Sequence, residues 1–581
     1  MKQFRGLKLA ALPALTVAVL AGFAAGACYA QSAGPVAAGT GPLFLRTLHV
    51  TGFLQNTSST WIDSEAIEYV PTKNSLASER NLIQVDVDDE ITENDYLFAR
   101  LTGVYEPSYP FENSCSNANL GTVDCNSDFY NAYGIREVWL NHRAGPLRVF
   151  VGRQIVAWGE SLAFRVVDQI NPQDFSWAFG FVNLENSRNP LWMFHPILNL
   201  PDAGPLSSNF AELIYVPGFD LAYTQVDYTD DAIDGQDQVA GRVNVFPATP
   251  GGRFAIRTDT RSFPAGSVPF NNALAFAPPI YLVRALAGCP PPGLCAVVAG
   301  GEVGIFTTDV AIPRATWGNS QIGVRLHTLA FNTEMAAIWL WNHEYSPLIK
   351  FDPEQISAPS GPTVPFRQER AREIFPQYMG AGVTANRPLY LPGALSQLPF
   401  VVRAEAFYKN HAAFGTLNIP GDVFVGFGPA GAPSGIVRSD EVLWLFALDL
   451  DQAYAPWLTS TGNLTANLEI NGTTILSYSH RMINQGSFEH IYHNDVSLLF
   501  SIGTSWLWGS VTPNWSNIYD PDGQMLLLFP TVQVVPPWSN KYFMKFGYVG
   551  VLGTNKFGAD GGAFKGKSLL YVQFQYNFSL M

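Results

Sequence analysis

Between Gly152 and Asp174 the chain gathers polar groups that could hold a solute or hold one another: Arg153, Gln154, Glu160, Arg165, Asp168 and Asp174. Arg153, Glu160, Arg165 and Asp168 place four charges within sixteen residues, at and beyond the end of the strand expected over 147–156. Guanidinium and carboxylate groups at this density pair once water is withdrawn, because a desolvated charge needs a partner. The predicted arrangement is an Arg–carboxylate network that either braces an interior or faces a solute. Catalysis has no comparable support. The chain has no G-x-S-x-G elbow, no H-E-x-x-H helix and no Walker-type phosphate loop. His490 and His493 are the closest histidine pair, but their segment precedes a strand and reads as a turn, so no metal site is expected there. No C-x-x-C-H is present, and no cofactor is expected. The chain reads as a non-enzyme.

The elements that must position these groups are legible from alternation. In Leu569–Leu580, Leu570, Val572, Phe574, Tyr576, Phe578 and Leu580 interleave with Tyr571, Gln573, Gln575, Asn577 and Ser579. Successive side chains of a strand point to opposite sides, so one face is apolar and the other wet. The same pattern recurs in 321–330, 401–408, 441–450, 495–506 and 541–548, where Arg325, Arg403, Glu405, Glu441, Asp449 and Lys545 all fall on one side. A bilayer imposes this exclusion, since Lys or Arg on the lipid side at mid-membrane costs about 2–4 kcal/mol.

Composition points the same way. The chain is 47% hydrophobic and 13% aromatic but only 14% charged, against about a quarter for a soluble domain. The net charge of −14 argues against a nucleic-acid partner, which would call for clustered Lys and Arg. Lys2, Arg5 and Lys8 precede an apolar run to about Ala27 and the small-residue site around Cys28-Tyr29-Ala30. Residues 1–30 therefore read as a cleaved export signal and 31–581 as the mature domain; lipidation at Cys28 and a retained anchor are weaker alternatives. Four cysteines follow, Cys115, Cys125, Cys289 and Cys295. Their even number in an exported chain predicts two loop-closing disulfides between sequence neighbours.

Short turns, as at 92–95 and 332–333, alternate with long excursions at 56–80, 106–131, 157–209, 261–320, 346–397 and 411–438. That layout predicts an all-β, antiparallel transmembrane β-barrel of sixteen or eighteen strands in the bacterial outer membrane, with long loops partly folding over or into the lumen. The expected strands include 132–142, 147–156, 210–216, 219–228, 239–246 and 253–260. One excursion is unusually apolar. Residues 266–306 contain Phe270, Phe276, Tyr281 and Leu282 beside the Cys289–Cys295 pair, and the passage 181–201 has a similar character. Such a stretch could plug the lumen, lie on the outer leaflet or receive a hydrophobic ligand.

Gly152-Arg153-Gln154, Trp158-Gly159-Glu160, Arg165, Asp168 and Ile170-Asn171-Pro172-Gln173-Asp174 resemble a proteobacterial outer-membrane family catalogued as a domain of unknown function, the one numbered thirteen-oh-two. A looser resemblance extends over the whole chain. It implies a barrel that accompanies a periplasmic lipoprotein-sorting-like protein and an RND-type inner-membrane transporter, and hence a role in moving alkanes, sterols or other lipids. The expected function is a channel or shuttle for hydrophobic or amphipathic molecules. The alternatives are a general or solute-selective porin, a scaffold for a periplasmic partner, and an embedded hydrolase for which the sequence nominates no residue.

Overall fold

The period-two alternation folds as long antiparallel strands that close on one another. The computed structural model describes residues 47–62, 76–105, 132–162, 164–172, 188–219, 316–345, 366–389, 400–416, 436–454, 463–480, 491–553 and 568–580, with the short stretches 267–269, 281–283, 295–297, 303–311, 313, 348–352, 398 and 482–483. The barrel strands are β1 His49–Trp61, β2 Leu76–Glu90, β3 Asp95–Tyr105, β4 Ala132–Ala144, β5 Leu147–Gln154 and β6 Leu191–Asn199. They continue as β7 Leu206–Val216, β8 Gln321–Ala330, β9 Thr333–His343, β10 Gln377–Leu389, β11 Phe400–Thr416 and β12 Ile436–Tyr454. The last six are β13 Asn463–Ile475, β14 Asn494–Thr504, β15 Val511–Asp520, β16 Met525–Val534, β17 Tyr542–Gly553 and β18 Leu569–Ser579.

Each strand pairs with its neighbour in chain order, and β18 returns to β1 along Thr51↔Ser579 to Trp61↔Leu569. The result is an 18-stranded closed antiparallel barrel. Closure satisfies every strand edge from within, as a bilayer requires. The strands 91–94, 145–146 and 331–332 connect are joined by tight turns at one end, and the strand ends Tyr105, Val216 and His343 lie at the other. Short turns face the periplasm in barrels of this kind.

Lipid and lumen faces separate as the alternation predicts. Leu570 and Val572 are exposed on the outside of β18, while Leu569 and Tyr571 are buried inside. Val383, Phe446, Leu468 and Trp515 extend the outer apolar surface around the wall. With its lipid-facing band and closed ladder, the protein resides in the outer membrane. The interior holds two apolar clusters: a large one around Trp158 and Phe407, and a smaller one of Trp61, Leu527, Val549, Val551, Leu569 and Tyr571.

The strand number agrees with expectation, but not every strand. β6 and β10 lie within the excursions expected at 157–209 and 346–397, β15 is a strand beyond those expected, and the anticipated strands between 220 and 260 lie outside the described residues, as does the 1–30 signal. Pro196 of β6 lacks an N–H, and the β6–β7 ladder skips it, resuming from Phe194↔Tyr215 at Ile197↔Glu212. In β15, Pro513 lies beyond the last β14 partner, Asn514.

The disulfide expectation is corrected: no disulfide joins the described residues. Cys295 begins the short strand Cys295–Val297, its backbone in register with Ile305, rather than closing a loop. Cys115, Cys125 and Cys289 lie outside the described residues. The 266–306 stretch contributes Ser267–Pro269, Tyr281–Val283 and Cys295–Val297 to a separate six-stranded sheet that includes Val303–Ala311, Leu348–Asp352 and Phe366–Ile374. In it Tyr281 stands opposite Pro269 and Leu282 opposite Val268, whereas Phe270 and Phe276 lie outside the described residues.

Val572→Arg should lower barrel stability by about 2–4 kcal/mol, while Gln573→Arg, on the wet face, should change it by less than about 1 kcal/mol. Urea unfolding in lipid vesicles measures both, and equal losses would contradict the assigned faces.

Candidate functional site

After β5 the chain turns into the barrel, and residues 155–172 pack against its inner wall. Val156, Trp158, Val166, Val167 and Ile170 are buried there among Leu191, Ile214, Leu340, Phe407 and Leu445. The sequence allows this docking because the wall has gaps to receive it. At Gly323 of β8 an added Cβ would come within 2.7 Å of the Trp158 ring, so a side chain there would push the indole away. Gly152 serves the strand below: its φ is +141°, and a Cβ would meet the Val138 carbonyl oxygen at 2.2 Å and Trp139 Cα at 2.6 Å. Glycine is thus required at the head of the Gly152-Arg153-Gln154 motif.

The described residues of the inserted segment form no strand or helix, so their buried backbone N–H groups need acceptors from elsewhere. Two wall carboxylates supply them. Glu405 of β11 accepts the N–H groups of Glu160 and of Val167, the latter at 3.3 Å. Glu469 of β13 accepts the Leu162 N–H at 2.9 Å and the Ser161 hydroxyl at 3.0 Å. Arg403 holds Glu469 at 3.0 Å and clasps both oxygens of Asp449 at 2.5 and 2.9 Å. Glu469 is 0% exposed and Glu405 3%, so these are interior carboxyl groups committed to the segment and its support. At the root, Asn171 donates to the carbonyls of Gln154 and Asn189 and accepts the Val156 N–H, while Asn342 of β9 donates to the Gln169 carbonyl at 2.6 Å.

Of the six polar residues nominated from sequence, Gln154, Glu160, Arg165 and Asp168 lie in or beside this segment. Asp168 accepts two hydrogen bonds from Arg188, at 2.5 and 2.9 Å, and Arg165 lies 3.9 Å away while donating to the Asp168 carbonyl. Burial draws the Arg165 guanidinium below its ordinary value, opposed by the Asp168 carboxylate. Burial also raises the Glu160 carboxyl, with the Glu334 carboxylate adding to the rise. Gln154 faces inward and contacts His195 at 3.1 Å; His195 reaches Glu212 at 2.6 Å, and Arg325 lies 3.2 Å from the same carboxylate. Arg153 points to the other side of the strand from Gln154. It stands one residue off the inward face, opposite Trp192 on the outside of β6, and donates to the carbonyls of Ile135 and Pro190. Asp174 lies outside the described residues.

Sequence reasoning did not nominate Arg188, His195, Glu212, Asp449 or Glu469 for the site. The signal for the strand residues was present, since Arg403, Glu405 and Asp449 sit on the wet side of otherwise apolar strands. A carboxylate in mid-strand facing inward implies an interior partner, and here that partner is the inserted segment.

Between the stem of the segment and the wall of β3–β6 lies a cavity of about 530 Å³. Phe98, Trp139, Phe150 and His195 line one side, with Arg100, Glu137, Gln154 and Arg188 among them and Ile155–Ala157 closing it. Among the described residues no cluster of His, Cys, Asp and Glu could hold a metal ion.

A closed barrel with an outer apolar band, an interior charge network and a loop packed inside its wall defines an outer-membrane β-barrel with a partly filled lumen. The chain belongs to the family described as "Protein of unknown function (DUF1302)", whose profile matches residues 80–514. Among solved structures it is similar to Pseudomonas aeruginosa OpdK, crystallised with vanillate, at 8% identity over 92% of this chain and 100% of that one, with a TM-score of 0.42. It is also similar to Acinetobacter baumannii OccAB1, at 9% identity over 92% and 97% with a TM-score of 0.44. Pseudomonas aeruginosa OccK11 (OpdR) gives 8% identity over 93% and 98% with a TM-score of 0.41. No curated protein matches the chain.

Gly152→Ala should force β4 and β5 apart and cost about 1–3 kcal/mol by urea unfolding. At Gly204, whose Cβ would meet nothing within 4 Å, the same change carries only the backbone cost of its φ of +61°, about 1 kcal/mol. A Gly152→Ala barrel as stable as the parent would remove the steric role assigned to that motif.

Proposed function

We propose that this barrel is a solute-selective channel whose lumen is narrowed by residues 155–172, and that its solutes are small and amphipathic. The observation that carries this reading is the fastening of that segment to Glu405 and Glu469 on the far wall. A loop held by two buried carboxylates is a fixed constriction, and fixed constrictions set what a pore conducts. The remaining inner wall supports a wet route: Gln55 donates to Gln575 at 2.8 Å, Gln575 to Asn577 at 2.7 Å, and Ser516 to Ser501 at 2.9 Å.

A purely hydrophobic or lipid cargo has less behind it. Trp158, Val167 and Phe407 are buried in the large apolar cluster of the interior, where they pack against one another rather than face a solute. The polar and aromatic cavity fits a molecule with one apolar face better than an alkane or sterol. An export signal over residues 1–30 fits delivery to the outer membrane. The lipoprotein-sorting-like and RND-type partners rest on family resemblance alone and would meet the short-turn end.

In planar bilayers the purified chain should give small, steady conductance steps. Glu405→Ala with Glu469→Ala should free the segment and raise single-channel conductance at least about twofold. Protease sensitivity within 155–172 reports the release independently. Released segment with unchanged conductance, or no steps from the parent barrel, would overturn the reading.

A further inference from the structure

The cavity beside the inserted segment has a composition that the constriction alone does not explain. A constriction needs bulk, yet this wall carries a run of touching rings. Trp139 lies 5.8 Å from Tyr96 and stacks on Phe98 at 5.1 Å; Phe150 meets Trp139 edge-on at 5.4 Å and stacks on His195 at 5.3 Å. Phe98, Trp139 and Phe150 are all partly exposed, on the inward faces of three successive strands. Buried aromatics would complete a core; half-exposed ones in a lumen offer ring faces to whatever passes.

The charges around these rings are already matched. Arg100 presents Nε and Nη2 to the two oxygens of Asp86, at 2.8 and 2.9 Å, and Nη1 to Glu137 at 3.0 Å. Arg188 is spent on Asp168, and His195 on Glu212. An incoming anion would have to compete with these carboxylates and sit near Glu137, which lines the cavity. An uncharged hydroxyl group faces no such cost. It can donate to a carboxylate oxygen or accept from a guanidinium or the Gln154 amide while the ion pairs stay intact.

We propose that this cavity is a binding subsite for uncharged aromatic solutes bearing hydroxyl groups, with Trp139, Phe98 and Phe150 as the ring platform and Glu137, Gln154 and Arg100 as the polar rim. The proposal deepens the channel reading and rests on it for its role in transport, but the binding it asserts can be measured separately. Stacking supplies affinity, and matched charge supplies discrimination against anions of the same size.

The test uses the purified full-length chain and 4-hydroxybenzyl alcohol as probe, with benzoate and glucose as comparators. In planar bilayers 4-hydroxybenzyl alcohol should block the current reversibly, and at higher concentration benzoate and glucose should not. Trp139→Ala should raise the half-blocking concentration about tenfold and Phe150→Leu by a smaller factor, without lowering the conductance of the unblocked pore. Unheated gel mobility confirms that each variant is a folded barrel. Block by benzoate or by glucose at the same concentration as the phenol, or folded variants that bind it as the parent does, would overturn the proposal. If the parent barrel shows no conductance, the channel reading fails, and equilibrium dialysis of the same probe against the detergent-solubilised chain decides the subsite by itself. Binding there that Trp139→Ala weakens about tenfold sustains it, and absence of binding ends it.

Discussion

A stretch of irregular backbone inside a barrel must find acceptors for its N–H groups, and the arrangement of this interior follows from that requirement. Residues 155–172 bring donors into a space where water is largely replaced by side chains, and the ladders of the wall are already complete. Glu405 and Glu469 answer it from two strands of the far wall, each accepting two donors from the segment. Their own burial then needs compensation, which Arg403 gives Glu469 while tied to Asp449. Remove the segment and those carboxylates lose partners; remove the carboxylates and the segment loses its hold.

Ion pairs of this kind are not a cheap source of stability, since desolvation offsets much of their attraction. What they provide is position. Asp168 is reached by Arg188 from one side and Arg165 from another, and Gln154, His195, Glu212 and Arg325 form a chain across β5 to β8. Apolar packing of Trp158, Val167 and Ile170 against Phe407 and Leu340 supplies the favourable free energy of docking, while the polar contacts specify one register for it. Gly323 shows the two working together, because the space it leaves for the Trp158 ring fixes how deep the segment can sit.

The barrel was legible because lipid enforces alternation over each strand, and β18 shows it from Leu569 to Ser579. Legibility failed where side-chain chemistry interrupts the pattern without interrupting the strand. β10 opens Gln-Tyr-Met-Gly-Ala-Gly-Val, poor in β-forming residues, and β15 opens Val-Thr-Pro-Asn-Trp, with a proline inside it, yet neighbours on both sides hold them in the sheet. The site was legible as a motif and not as a geometry. Arg153 and Gln154 are adjacent in sequence, but a strand sends them to opposite faces, and the inward place belongs to the glutamine. Which of two alternating residues faces the lumen depends on register, and register is set by pairing with strands far along the chain. The partners of Glu405 and Glu469 lie some hundreds of residues away, a separation no local pattern encodes.

The inserted segment and the cavity share a component, and this couples the docking of the one to the shape of the other. Ile155, Val156 and Ala157 close the cavity on one side, and they belong to the same segment that Glu405 and Glu469 fasten further along. Arg188, on the return of that loop, lines the cavity and clasps Asp168 within the segment. A solute that fits only the complete cavity therefore binds the docked state in preference to the released one, and by linkage it stabilises the docking. The pins need not be strong for this to matter. If docked and released states differ by a few kcal/mol, the differential affinity of the solute sets how far the balance moves, and a solute indifferent to the segment moves nothing. Segment and cavity thus draw on one set of contacts, in which the carboxylates of the far wall hold in place the surface that faces the aromatic wall of β3 to β5.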